Sequence, residues 1–155
     1  MLYGFQLAVI FFLLWTDRVV IGYLRIAYEF GIELITTSMI LIGIIYGPSF
    51  AFLFGLLIYP VIDAFRWMVA VPFEAEWPPL IPSPDSLIAG VLGFIAGFLI
   101  DFLPFFVVVF ACLIARIPMA VAKDMLFTGM PFKPGYLFGI AFTFFVIYLL
   151  QFLVT

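Results

Sequence analysis

Apolar residues run along this chain in long blocks, with the polar residues clustered between them. The blocks lie at about 1–16, 32–46, 49–70, 86–103, 104–122 and 135–154, and each is apolar on every face. A half-buried strand alternates apolar and polar positions, as does a barrel strand, so this pattern predicts helices. A hydrocarbon core of about 30 Å takes roughly 20 helical residues, which the blocks approach. The chain therefore reads as an all-α integral membrane protein, a single domain over residues 1–155 with six short transmembrane helices. Residues 17–31 form a polar amphipathic segment, and 71–86 a proline-rich connection.

Proline and glycine mark the joints. Gly47-Pro48 predicts a reversal with almost no loop, because glycine supplies unusual backbone angles and proline suits a first helical turn. Pro60 predicts a kink that leaves the Leu56 carbonyl without its usual partner. Pro104 is read as the start of the fifth span. As a mere kink it would leave residues 87–117 as one over-long helix. Asp85-Ser86 can cap the fourth span, Pro118 predicts a further kink, and Thr128–Gly135 is turn material. On one helix Gly47, Ala51, Gly55, Tyr59 and Asp63 recur every four residues, and so do Ala89, Gly93, Gly97 and Asp101 on another. Such small-residue faces let two backbones approach closely.

Composition removes the soluble alternative. With 68% hydrophobic and 10% charged residues, a chain of 155 cannot hide its apolar surface in a small core. No Lys or Arg precedes the first apolar block and no small-residue cleavage pattern follows it, so it reads as a span rather than a removed signal peptide. There is no histidine, and the single cysteine, Cys112, sits in an apolar run. No metal site, cofactor or catalytic residue is expected, and the chain does not read as an enzyme. A net charge of -3 with six scattered bases leaves no patch for nucleic acid.

The placement of charge is more informative. With six spans, all six bases fall on the first, third and fifth connections or on the span ends that feed them: Arg18, Arg25, Arg66, Arg116, Lys123 and Lys133. Every acid except Asp101 does the same, while the opposite end holds tight turns and both termini. Arg18, Gly22, Arg25, Glu29 and Glu33 form one polar stripe on a continuous helix. The stripe is either an amphipathic turn at the membrane interface or a polar wall facing a cavity. Asp63 and Arg66, three apart, can pair. Trp67 and Trp77 fit an interfacial belt. The proline-rich segment is either a plain surface loop or a stiff cover over a cavity mouth.

Tyr46-Gly47-Pro48, followed by Gly55 and Asp63, resembles the Phe/Tyr-Gly-Pro…Gly…Asp pattern of the S components of energy-coupling factor transporters. The run Gly93-Phe94-Ile95-Ala96-Gly97-Phe98-Leu99-Ile100-Asp101 resembles the Gly-Phe…Gly-Leu…Asp helix of the rod-shape protein MreD, which shares the six-span layout. The first resemblance implies a membrane subunit that binds a small polar solute and works with partner subunits, its charged connections outside the cell. The positive-inside tendency puts those connections in the cytoplasm instead. The expected solute site is Arg18, Arg25, Glu29, Glu33, Asp63, Arg66 and Trp77, at the charged end. Gly47, Ala51, Gly55, Ala89, Gly93 and Gly97 are the expected helix-packing residues. The second resemblance implies a structural or assembly subunit of a membrane complex. Either way the partners are the lipid bilayer and other membrane proteins, and the location is the cell membrane, multi-pass.

Overall fold

The computed structural model describes residues 2–17, 32–62, 64, 80–127, 129 and 135–154. These form six helices: α1 (Leu2–Thr16), α2 (Ile35–Tyr46), α3 (Pro48–Ile62), α4 (Pro84–Leu99), α5 (Phe105–Phe127) and α6 (Gly135–Leu150). A 3-10 turn, Gln151–Leu153, extends α6. Among the described residues there is no strand. Two helices are long and apolar enough to cross a membrane, α5 and the Gly135–Leu153 stretch, whereas the other four are shorter apolar helices.

The hub is α2, the shortest of the six. Its residues Ile35 to Gly43 are buried without exception, so it has no outward face. An apolar helix that shows no preferred side is one surrounded on all sides. α4 packs on it most extensively and α3 packs on both. The α2–α4 contact is backbone on backbone. A Cβ on Gly43 would stand 1.9 Å from the Gly93 carbonyl oxygen, one on Gly93 2.5 Å from the Met39 oxygen, and one on Gly97 2.5 Å from the Gly43 oxygen. Ala51 of α3 closes the same seam, its Cβ 2.9 Å from a Cβ built on Gly93. Farther along, Gly55 presses on Gly90 and Ser86. Ala89 is buried beside this seam.

Gly47 has a different job from the close packing expected of it. Its φ of 95° is open to glycine and disfavoured for other residues, and nothing lies within 4 Å of where its Cβ would be. It closes α2 through its N–H on the Gly43 carbonyl (3.0 Å) and hands the chain to Pro48 at the start of α3.

Pro60 shapes α3 upstream of itself. In a regular α-helix its ring would strike the Leu56 carbonyl. Here the helix widens to a π turn over Phe54–Ile58, and the Tyr59 N–H donates to the Phe54 carbonyl. The wider turn accommodates the ring and lies where Gly55 meets α4.

Helix α4 starts earlier than Asp85-Ser86 implies. Ser83 is the N-cap, its hydroxyl accepting from the Ser86 N–H at 3.2 Å, and Pro84 occupies the first turn. The fixed φ of proline suits that turn, which moves the cap two residues upstream. Pro104 separates α4 from α5, since residues 100–103 form a turn and the Val108 N–H donates to the Pro104 carbonyl. α5 runs on through Pro118 to Phe127, beyond the expected end near Ala122. Its last turns are held by side-chain bonds from Lys123 and Asp124 to neighbouring elements.

Two apolar clusters fill the interior. One joins Ile10 and Leu14 of α1, Met39 and Ile42 of α2, and Phe54 and Tyr59 of α3. The other joins Ile40, Leu92, Ala96, Val108, Val109, Cys112, Leu113 and Ile147, from α2, α4, α5 and α6. The Cys112 thiol donates weakly to the Leu92 carbonyl at 3.7 Å, a packing contact. Gln6 donates to the Leu153 carbonyl at 2.5 Å, tying the first helix to the chain's last turn. At the other end of α1, Asp17 accepts from the Leu34 N–H and pins the start of α2. Phenylalanine dominates the outer surface, with Phe12, Phe98, Phe102, Phe110, Phe138 and Phe145 among the exposed residues.

Candidate functional site

The charged side chains of the described helical bundle that pair with one another do so at the end where α2, α4 and α6 begin and α5 finishes, in two tiers. The inner tier is built on Arg116 of α5 and Glu33, two residues ahead of α2. Arg116 Nη2 lies 2.5 Å from Glu33 Oε1, with the two side chains 10% and 13% exposed. The Thr36 hydroxyl donates to the same carboxylate oxygen at 2.6 Å. A charge this deep in an apolar chain persists only with a partner, and each of these has one.

The outer tier lies farther along α5. Lys123 Nζ is 2.7 Å from Asp85 Oδ1 in the first turn of α4 and 3.5 Å from Asp124 Oδ1. The Tyr136 hydroxyl, in the first turn of α6, donates to Asp124 and lies 3.5 Å from the Ala120 carbonyl. Arg116 and Asp124 are about 12 Å apart along the helix axis, at 1.5 Å per residue. Together the tiers link α2, α4, α5 and α6 through charge and hydrogen bonding at one end only.

Of the expected solute residues, Glu33 takes its place in the inner tier. Arg18, Arg25, Glu29, Asp63, Arg66 and Trp77 lie outside the described residues. The residues that complete the tiers, Arg116, Lys123, Asp85, Asp124 and Tyr136, were not singled out from sequence as site residues. Lys123, read there as part of a connection, stands on a helix. A sequence signal did exist for two of them. Arg116 interrupts an apolar block, and Asp124 sits next to a lysine at the end of one, both places where an intramembrane charge implies a partner.

Several buried hydroxyls have no partner among the described residues, including Thr37 Oγ1, Ser38 Oγ and Thr143 Oγ1. All three residues are fully buried. Among the described residues no group of three or more His, Cys, Asp or Glu side chains is placed to hold a metal ion. The arrangement offers donors, acceptors and a neutralised ion pair. Comparison of the chain with family models, curated proteins and solved structures finds no match.

Proposed function

We propose that this chain is a multi-pass integral membrane protein, a solute-binding subunit that takes up a small polar molecule together with partner subunits. The six helices are its spans, and the exposed phenylalanines face lipid, because surface apolar area on this scale is stable only against hydrocarbon or another protein. The observation that carries the reading is the buried Glu33–Arg116 pair, contributed by the residues leading into α2 and by α5 and joined by Thr36. One carboxylate and one guanidinium at fixed separation orient a polar guest. The outer tier of Lys123, Asp85, Asp124 and Tyr136 is the closure above it. Uptake against a gradient needs partner subunits, since a chain of this size has no nucleotide-binding motif.

The test is a double-mutant cycle read in two ways. Glu33→Gln and Arg116→Gln each leave one buried charge alone and should cost about 3–5 kcal/mol of stability. The double variant should recover most of that loss. Small molecules that co-purify in mild detergent should disappear from the double variant although its fold is regained. A double variant that regains stability and keeps the solute at wild-type occupancy refutes the reading.

A second reading is an assembly subunit of a larger membrane complex. It is favoured by two groups of exposed aromatic side chains, Phe98 with Phe102 at 5.5 Å, and Phe106 of α5 with Phe144 and Tyr148 of α6, each at 6.1 Å. A stoichiometric protein partner and no solute in the same purification would select it.

A further inference from the structure

Pro118 divides α5 into two parts that are held in different ways. Upstream of it, Val108, Val109, Cys112 and Leu113 are buried in the second apolar cluster, and Arg116 is held by Glu33. Beyond it, from Met119 to Phe127, Ala120 is the one apolar residue that is buried, and Met119 packs at the edge of that cluster. Met125, Leu126 and Phe127 stand exposed. What ties this end of the helix to its neighbours is polar. Lys123 reaches Asp85 in the first turn of α4, and Asp124 and the Ala120 carbonyl meet Tyr136 in the first turn of α6. The α5 groups of the outer tier all lie beyond Pro118, and the α5 member of the inner pair lies before it.

The break between the two parts is at the proline itself. Proline has no N–H, so the Ile114 carbonyl loses its helical donor, and the ring crowds that carbonyl from the next turn. Both Pro118 and Ile114 lie on the exposed side of α5, where a bend displaces no packed neighbour. Helices bend at such missing bonds. A segment with little buried apolar surface and a few polar ties also opens at lower free energy than one in the core. The two tiers lie within electrostatic reach of one another, Glu33 acting on the Lys123 ammonium and Arg116 on the Tyr136 hydroxyl. We infer that Met119–Phe127 is a lid hinged at Pro118, latched to α4 by Lys123 and to α6 by Tyr136, whose release opens the Glu33–Arg116 pair at the charged end. That a solute then passes rests on the solute-binding reading above, whereas the hinge stands apart from it.

The test follows two thiols in the detergent-solubilised full chain carrying Ala120→Cys, labelled with N-ethylmaleimide and located by peptide mass spectrometry. Native Cys112, buried upstream of the hinge, reports opening of the whole bundle, and the thiol introduced at position 120 reports the lid. The lid thiol should label while Cys112 stays unlabelled. Lys123→Met and Tyr136→Phe should each speed the lid thiol at least tenfold, the worth of one hydrogen bond to a charged group. Pro118→Ala restores the missing N–H and should slow it about fivefold, the worth of one neutral bond. Equal rates at the two thiols, no acceleration in either latch variant, or no slowing in Pro118→Ala overturns the inference. Should Ala120→Cys fail to fold, spin labels on Leu126→Cys and Leu137→Cys, both exposed sites, carry the test. Their single distance should split in two when Lys123→Met and Tyr136→Phe are combined, and return to one when Pro118→Ala is added. One unchanged distance throughout refutes the lid. If the lid opens in this way and no solute co-purifies, the solute-binding reading falls alone. If a co-purified solute depends on Glu33 and Arg116 while the lid thiol behaves as Cys112 does, the hinge falls alone.

Discussion

Gly43→Ala is the sharpest probe of how this fold is held together. The added Cβ would stand 1.9 Å from the Gly93 carbonyl oxygen and 2.8 Å from its carbon, with the Gly97 nitrogen at 3.1 Å. All three are backbone atoms of α4, so no side chain can swing away. An ordinary carbon–oxygen contact is above 3 Å, and α2 and α4 must part by more than about 1 Å. A gap of that size forfeits a quarter to a half of the dispersion energy at each contact it opens. Overpacking of this kind costs about 1–3 kcal/mol, and the inflexible neighbours put this site at the top of the range. Alanine returns about 1 kcal/mol through its better helix propensity, leaving a net loss of about 2 kcal/mol. Gly90→Ala supplies the control, since it makes the same chemical change in a helix of the same seam. Its Cβ would meet Gly55 and Phe52 backbone atoms only at 3.5 Å or beyond, which is ordinary contact. The propensity gain is common to both, so their difference reports the steric term. Thermal melts in detergent, followed by circular dichroism, should show Gly43→Ala melting well below wild type and Gly90→Ala at or above it. Equal melting temperatures for the two would mean that the helices do not meet through Gly43, and the α2 hub would be wrong.

Larger side chains on the seam should act in the same direction. Gly55→Leu and Gly93→Leu should destabilise far more than Phe52→Leu in the same melts, because Phe52 is exposed and its replacement displaces no backbone. Lys123→Met should cost about 2 kcal/mol by removing the ammonium that Asp85 and Asp124 share. A double change with Asp85→Asn that recovers none of the loss would show that Lys123 acts through other groups. Ser83→Ala should cost about 1 kcal/mol as the loss of an N-cap, seen as faster amide exchange at Ser86, and unchanged exchange there would refute the assignment.

Helix content and the joints at Gly47, Pro48 and Pro104 were legible in the sequence, because each depends on local backbone chemistry. Gly47 shows how far such reading reaches. Its stride of four with Ala51 and Gly55 suggested a continuous packed face, but the same residue also begins a reversal, and a glycine at positive φ cannot continue a helix face. The glycine that makes the closest approach is Gly43, on the other side of that turn. It lies one step of four before Gly47, but the reversal at Gly47 puts it on a different helix from Ala51 and Gly55, so the stride does not mark it as part of their face. Centrality was illegible for a related reason. A helix apolar on every face looks the same in sequence whether lipid or protein surrounds it, and only the packing distinguishes Ile35–Gly43, wholly buried, from α5, whose outward side is exposed.

The polar site divides along the same line. Short-range pairs such as Arg25 with Glu29 or Asp63 with Arg66 can be proposed from spacing, because helix geometry fixes which neighbours meet. Glu33 with Arg116 and Asp85 with Lys123 join residues far apart in sequence, and no local pattern encodes such a meeting. What the sequence does carry is the constraint that an ionised group inside an apolar bundle needs compensation. Applied to Arg116, that constraint demands an acid from another helix, and the charged end supplies it in Glu33.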